Sequence, residues 1–157
     1  MKILLIQIEK TTDAYLNEGF NIYADRLKNY VTFHTETIVM HKSVRQKSID
    51  EQKKAEASEM EKLFLPGDFI VSLDENGKQF KSVLFAEFLN KRMVSGCKRL
   101  VFIIGGPFGI EQSILKNSSW IMSFSEMTFS HQMIRLFFSE QLYRAFTILK
   151  NEKYHHE

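Results

Sequence analysis

Three glycines directly follow a long apolar run, within the sequence Ile-Ile-Gly-Gly-Pro-Phe-Gly at 103–109. The run at 99–104 predicts a strand buried on both faces, as strands of parallel sheets are. Ligands of such sheets bind at the carboxyl ends of the strands, where glycine lets a ligand approach the backbone amides. The glycine spacing matches neither the dinucleotide fingerprint nor the phosphate-binding loop. A small-molecule site and a tight turn without a ligand both fit this segment.

A second candidate loop covers residues 124–129, which carry two hydroxyls and two aromatic rings. It follows the apolar run 121–124 and leads into a helix, so it fits a pocket for adenine as well as a simple helix cap. A third strand end lies at Leu73-Asp74. If these three strands are neighbours in the sheet, the three loops converge on one place.

Groups that move protons stand near the C-terminus, where Tyr154 and His155 can donate and accept near neutral pH. A frayed, solvated terminus explains them as well. Arg144 is four residues from Glu140, which is also the spacing of an ordinary helix-surface pair. The adjacent His155 and His156, without a further Cys or His cluster, make a poor metal site, so no metal is expected.

The apolar periodicity predicts strands that alternate with helices. Strands are predicted at 2–8, 33–40, 68–73, 99–104 and 121–124, and helices at 13–30, 49–64, 82–95, 111–117 and 131–149. Ser48 and Glu51 have the spacing of a capping box at a helix start, and Asn76-Gly77 indicates a turn at 74–78. This alternation predicts an α/β fold, a mostly parallel sheet covered by helices on both faces. With no internal repeat or linker, we expect a single domain over residues 1–157.

The composition is that of a globular protein, with 44% hydrophobic and 25% charged residues. A formal net charge of +2 does not indicate a nucleic-acid partner, so RNA binding would depend on local basic patches. Such patches occur at Lys42, Arg45 and Lys47, at Lys91, Arg92, Lys98 and Arg99, and at Lys150 and Lys153. No apolar run approaches the roughly 20 residues that span a bilayer. The single cysteine, Cys97, suits a reducing compartment, and we expect a cytoplasmic protein without a membrane partner.

The last predicted helix has apolar residues around much of its circumference, among them Ile134, Phe137, Phe138, Leu142 and Phe146. Packing on one sheet needs a narrower apolar stripe than this. We therefore expect part of the helix to meet a second subunit.

Taken together, the motifs resemble the RlmH family of SPOUT-class methyltransferases, which modify pseudouridine in the large ribosomal RNA. The resemblance rests on Gly-Gly-Pro-Phe-Gly at 105–109, Ser-Phe-Ser-Glu-Met-Thr-Phe at 123–129, His-Gln-Met-Ile-Arg at 131–135, Glu-Gln-Leu-Tyr-Arg-Ala-Phe at 140–146, and Tyr154-His155. It runs along the whole chain, and the order and spacing of the motifs are specific.

The resemblance implies a deep trefoil knot in the C-terminal half, an exception to the rule that chains do not thread their own loops. It implies S-adenosylmethionine as the cofactor, N3 of a pseudouridine in 23S ribosomal RNA as the acceptor, and a homodimer as the active form. The implied cofactor contacts are Leu73, Gly105, Gly106, Phe124, Ser125, Glu126, Met127, Thr128 and Phe129. The implied substrate-binding and catalytic residues are Arg144, Tyr154 and His155, supplied from the partner subunit's tail.

The sequence departs from the family pattern at Ser130, where many members carry Pro, and at His156, where several carry Arg or Lys. The second difference removes a permanent cation that could contact an RNA phosphate. Two other functions fit the same sequence: a catalytically silent RNA-binding protein with this fold, and an α/β protein that binds a nucleotide through the glycine loop.

Overall fold

The computed structural model describes residues 1–155, and within them a sheet of five parallel strands forms the centre. The strands are β1 (Lys2–Ile8), β2 (Thr32–Ile38), β3 (Phe69–Gln79), β4 (Arg99–Ile104) and β5 (Trp120–Ser123). Their order across the sheet is β2-β1-β4-β3-β5, and every neighbouring pair is parallel. The predicted parallel sheet is confirmed, and the carboxyl ends of all five strands lie along one edge.

Helices cover both faces of the sheet, as predicted. They are α1 (Ala14–Leu27), α2 (Ile49–Glu61), α3 (Ser82–Val94), α4 (Gln112–Asn117) and α5 (Met133–Leu149). Because successive side chains of a strand point to opposite faces, Val101 and Phe102 of β4 enter different cores. Phe102 packs with α1, α3 and α5 around Phe138, and Val101 packs with α2 and α4 around Ile114.

Local signals at the helix ends act as the sequence indicates. The Ser48 hydroxyl accepts from the Glu51 amide at 3.3 Å, and the Glu51 carboxylate accepts from the Ser48 amide at 3.2 Å, so the capping box of α2 is formed. Gly96 follows α3 with a φ of 77°, the left-handed conformation that often ends a helix.

The predicted turn at 74–78 is wrong in one respect, because β3 does not end at Leu73 but continues to Gln79. The chain leaves the β5 ladder after Leu73 and rejoins it, so that Leu73 and Lys78 both pair with Met122. The Asn76 backbone amide donates a hydrogen bond to Asp74 Oδ1 at 3.0 Å, an Asx turn that stabilises the segment between Leu73 and Lys78. Gly77 crosses β5 so closely that a Cβ atom there would lie 2.5 Å from the Met122 carbonyl carbon.

The bounds of β1 and β4 are as predicted, and the remaining element boundaries differ from the predicted ones by at most three residues, close to the one or two residues over which element ends are intrinsically ambiguous. The C-terminal trefoil knot stays a prediction from the resemblance, and the single domain over residues 1–157 stays a prediction from the lack of an internal repeat or linker. No helix within residues 1–155 is long and apolar enough to cross a membrane.

Candidate active site

Three strand ends converge on one cavity of about 610 Å³ at the carboxyl edge of the sheet. Its walls come from the start of the β3 excursion at 73–75, the glycine loop after β4, the loop after β5 and the first turn of α5. Eight predicted cofactor contacts line it: Leu73, Gly105, Gly106, Phe124, Ser125, Met127, Thr128 and Phe129. Glu126, the ninth, is exposed and is not part of the wall. The expectation that the three loops meet therefore corresponds to the observed geometry.

The glycine loop folds tightly back on itself. The Gly109 amide donates to the Gly106 carbonyl at 3.1 Å, and the two residues form an isolated antiparallel bridge. A Cβ atom on Gly105 would lie 2.8 Å from the Gly109 carbonyl carbon, and Gly109 has a φ of 79°. The turn therefore requires glycine at both places. The segment is therefore a tight turn and also part of the cavity wall.

Hydroxyl groups fix the loop after β5. The Ser125 hydroxyl accepts from the Met127 amide at 2.9 Å, and the Thr128 hydroxyl donates to Glu75 Oε2 at 3.0 Å. Ser130 accepts from the Met133 amide at 3.1 Å and so caps the start of α5. The helix-cap interpretation thus holds for Ser130, while Ser125 and Thr128 shape the wall of the cavity.

The cavity wall is acidic rather than basic. Among its lining residues in the described part of the chain, Asp74 and Glu75 are carboxylates, and none is Lys or Arg. His131 adds an imidazole whose pKa is lowered by burial and by the nearby Arg135 charge, which favours its neutral form. Such a wall attracts a cationic ligand and offers no counter-charge to a polyphosphate.

Arg135 is a structural anchor that the sequence indicated only as a charge within an apolar helix. Its side chain is 1% exposed and donates to the carbonyls of Ile8 at 2.5 Å and Glu9 at 3.0 Å, and to the Thr11 hydroxyl at 2.9 Å. Burial lowers its pKa to about 10, so the guanidinium stays charged at neutral pH. Arg135 therefore ties the end of β1 to the helix that closes the cavity.

Glu56 is a second residue that sequence reasoning missed. It is 7% exposed, and its Oε1 lies 3.0 Å from the position that a Gly106 Cβ would occupy, so it backs the glycine loop. Burial, followed by the charge of Glu9, raises its pKa to about 7. In the sequence it stands in a helix rich in Lys and Glu, where nothing distinguishes it from a solvent-exposed charge.

The three predicted catalytic residues form one cluster at the far end of α5. Arg144 pairs with Glu140 Oε1 at 2.5 Å, its guanidinium carbon lies 4.8 Å from the centre of the Tyr154 ring, and its Nη1 is 3.4 Å from His155 Nδ1. The predicted helix pair of Glu140 and Arg144 is therefore also present. The tail is held against the helix rather than frayed up to His155, and His156 lies outside the described residues.

The Tyr154 hydroxyl is placed to donate a hydrogen bond and not to act as a base. Its hydroxyl donates to Glu140 Oε1 at 3.1 Å and lies 3.4 Å from the Tyr23 hydroxyl. Burial, the bond with Tyr23 and the Glu140 charge all raise its pKa, so the phenol stays protonated in neutral solution.

Within one chain, this cluster does not reach the cavity. None of Arg144, Tyr154 and His155 lines it. Arg144 is ten residues beyond the lining residue Ile134 on α5, which is about 15 Å along a helix axis. No group of three potential metal ligands occurs among residues 1–155.

Several of the predicted basic patches are partly neutralised. Arg45 pairs with Glu9 at 2.7 Å, and Arg99 pairs with Asp68 at 2.5 Å. Arg92 lies over the Phe69 ring at 4.6 Å. Lysines therefore supply most of the unpaired positive charge in these patches.

Comparison with known proteins identifies the relatives of this chain. The family described as "Predicted SPOUT methyltransferase" matches residues 1–155. "Ribosomal RNA large subunit methyltransferase H" of Christiangramia forsetii is 50% identical, with 99% of both chains covered, and the protein of that name from Parabacteroides distasonis is 50% identical over the full length of both. The structure of a probable methylase family protein from Haemophilus influenzae shares the fold, at a TM-score of 0.52 and 15% identity over 99% of this chain and 70% of that one. The chain belongs to the SPOUT methyltransferase family, in the RlmH branch that the sequence motifs indicated.

Proposed function

We propose that this protein, in the cytoplasm, transfers the methyl group of S-adenosylmethionine to N3 of a pseudouridine in large-subunit 23S ribosomal RNA. One observation carries the proposal: a glycine loop, a hydroxyl-rich loop and the carboxylates Asp74 and Glu75 enclose one cavity in a chain of the SPOUT methyltransferase family. The printed names of the full-length relatives supply the substrate class.

The cavity residues fit a sulfonium cofactor. Its volume of about 610 Å³ lies in the range typical of small-molecule sites. Apolar side chains such as Leu73, Met122 and Phe124 offer a surface for an adenine ring, and the glycine loop brings backbone groups within reach of it. Asp74 and Glu75 complement the positive charge of the donor. When bound, the cofactor supplies an electrophilic methyl group.

A homodimer would complete the site. The mouth of the cavity carries exposed apolar side chains, with Phe108 at 44% and Met127 at 75% exposure. Phe129 packs on Phe137 of α5 at 4.9 Å between ring centres, and both rings remain partly exposed, which extends this surface along the helix. Covering this surface with a second copy removes it from water and brings a second tail to the cavity.

The proposed chemistry assigns one role to each residue of the tail. His155 takes or relays the N3 proton, a contribution of about 10²–10⁴-fold for a positioned base. Tyr154 stacks on the target base or donates a hydrogen bond to it. Arg144 stabilises the developing anion or holds a phosphate. The cavity aligns the methyl group and excludes water, effects that supply about 7–11 kcal/mol in well-oriented reactions.

Calorimetry separates this proposal from the two alternatives. The full chain should bind S-adenosylmethionine and S-adenosylhomocysteine and should not bind ATP, because the wall lacks a cation for phosphate. A nucleotide-binding protein would bind ATP, and a silent RNA-binding protein would bind none of the three.

Transfer of labelled methyl to ribosomes that lack the modification, compared with free RNA, tests the reaction itself. Wild-type protein should label the large-subunit RNA. His155→Ala should reduce turnover with little change in cofactor affinity, while the matched control His34→Ala, on the exposed side of β2, should behave as wild type. Equal activity of the His155 variant would remove that residue from the mechanism.

A further inference from the structure

A second cavity, of about 480 Å³, lies between α1 and the sheet, along β2 from Phe33 to Thr37 and beside the end of β1. It is separate from the methyl-transfer cavity, whose walls come from β3, β4 and β5. Measured across the sheet alone, the strands that line the two cavities are about two strand spacings apart, or roughly 10 Å.

The floor of this second cavity is polar where the sheet is otherwise apolar. Ile3 and Leu5 of β1 enter the core under α1, but Gln7, the next residue on that face, lines the cavity. It pairs across the sheet with Thr37, and Leu5 pairs with Thr35, so the edge strand also presents hydroxyls there. These polar groups give the cavity a floor that can form hydrogen bonds with a ligand.

The Gln7 side chain has one polar atom, Oε1, that forms no hydrogen bond among the described residues. Its side chain is 7% exposed, and its Nε2 donates to the Thr37 hydroxyl at 3.0 Å. Its Oε1 is buried without a partner among the described residues. A buried acceptor with no donor is costly.

Aromatic and amide groups form the sides. Phe20 of α1 and Phe33 of β2 line the cavity with ring centres 6.3 Å apart, and both are partly exposed. Asn17 and Asn21, one helical turn apart on α1, add amide groups, and Lys10 adds a positive charge at the rim.

We propose that this cavity binds an unstacked nucleobase of the RNA substrate, near the nucleotide that is methylated. Aromatic rings for stacking, amides and hydroxyls for base edges, and a lysine for phosphate are the groups that recognise single-stranded RNA. The inference rests on the proposed RNA substrate. A second base held here fixes the register of the strand, so that one position is presented to the methyl-transfer cavity.

Hydrogen bonds tie together the wall between the two cavities. Thr11 lines the second cavity and accepts from Arg135, whose helical neighbour Ile134 lines the first. Gln132 accepts from the Thr12 amide at 2.7 Å. Because both sites share this wall, a base in one has a fixed position relative to the other.

Ultraviolet crosslinking of the full chain to unmodified ribosomes, followed by trypsin digestion and mass spectrometry, tests the proposal. Phe20 lies in the tryptic peptide 11–26 and Phe33 in the peptide 29–42. RNA adducts are expected on these peptides. The double variant Thr37→Val with Asn21→Ala should lose them and should bind ribosomes about tenfold more weakly. Its cofactor affinity should not change.

The matched control is Thr32→Val with Asn29→Ala, which makes the same chemical changes outside the cavity and should behave as wild type. Adducts confined to other peptides, or a double variant that binds ribosomes as wild type does, would overturn the base-binding proposal. So would a double variant that only weakens self-association in sedimentation, since the cavity would then hold a protein segment.

The crosslink does not depend on methyl transfer, so the two proposals fail separately. Adducts in this cavity without any transfer would contradict the proposed function and leave the RNA site. Transfer without such adducts would leave the function and remove the site.

Discussion

Replacing Glu56 by Gln should stabilise the protein at alkaline pH and have little effect at acid pH. The carboxyl is buried behind the glycine loop, and burial together with Glu9 raises its pKa from 4.5 to about 7. Glutamine has nearly the same shape and cannot ionise. The variant therefore isolates the free energy of holding a buried carboxylate.

The magnitude follows from proton linkage. The folded protein binds the Glu56 proton more tightly than the unfolded chain does, so stability falls as pH rises from about 4.5 to about 7 and stays low above it. A pKa difference of about 2.5, at about 1.36 kcal/mol for each unit, gives a cost of about 3 kcal/mol at pH 8. At pH 5 the cost is about 1 kcal/mol or less. The groups that set this value are Glu9, which raises the pKa, and Lys53, which lowers it.

Thermal unfolding at pH 5 and pH 8, at one protein concentration, measures the effect. For a chain of this size we expect Tm of Glu56→Gln to exceed wild type by about 6–12 °C at pH 8 and by no more than about 3 °C at pH 5. Glu61→Gln, on the exposed end of the same helix, is the control and should show no such pH dependence. An equal Tm for wild type and Glu56→Gln at pH 8 would refute the assignment of Glu56 as a buried, destabilising acid.

Three further outcomes are expected. Gly77→Ala places a Cβ atom 2.5 Å from the β5 backbone. It should lower the free energy of unfolding by about 3 kcal/mol in thermal melting and weaken cofactor binding in calorimetry. An unchanged Tm would contradict the close approach of Gly77 to β5. Gly105→Ala and His155→Ala chains, each inactive alone, should recover about 25% of wild-type methyl transfer when co-expressed if two subunits build each site, because half of the dimers are mixed and each mixed dimer has one intact site. Sites built within single chains would recover none. Burial raises the pKa of Asp68, but hydrogen bonds from Arg99 and a backbone amide outweigh it and hold the pKa below its usual value. The stabilisation from this ion pair is present at neutral pH and is lost as pH falls through the lowered pKa of Asp68. Asp68→Asn should therefore lower the free energy of unfolding by about 3 kcal/mol at pH 7 and by much less in acid. The same loss at every pH in urea unfolding would argue against the ion pair.

Much of the framework was predictable from the sequence, because apolar runs report burial directly. The unbroken run at β4 indicated a strand covered on both sides, and Ser48 with Glu51 located the start of α2. The segments after β4 and β5 were recognisable as loops rich in glycine and in hydroxyl groups, and the Asp74-Glu75-Asn76-Gly77 segment of β3 as polar. Their convergence depended on strand order, which the sequence did not specify by itself.

Other features could not be read from the sequence because they depend on contacts between distant segments. Asn76-Gly77 indicates a turn whether the strand ends there or only bulges, and the return to the ladder depends on β5. The burial of Glu56 depends on the glycine loop, 50 residues further along the chain at Gly106. Arg135 differs from a surface arginine only because carbonyls at the end of β1 accept its hydrogen bonds.

The position of β1 has a consequence for synthesis of the chain. Of the five strands described, β1 is translated before the others, yet it lies inside the sheet, and one of its two neighbours, β4, pairs Lys2 with Arg99, nearly a hundred residues later. Before β4 has been translated, β1 can pair only with β2. The side of β1 that pairs with β4 stays unpaired, and the apolar side chains of β1 stay uncovered. Contacts between residues so far apart in sequence slow folding and prolong the exposure of hydrophobic surface that can aggregate. Nascent chains stalled before residue 99 should therefore be clients of chaperones that bind exposed hydrophobic segments.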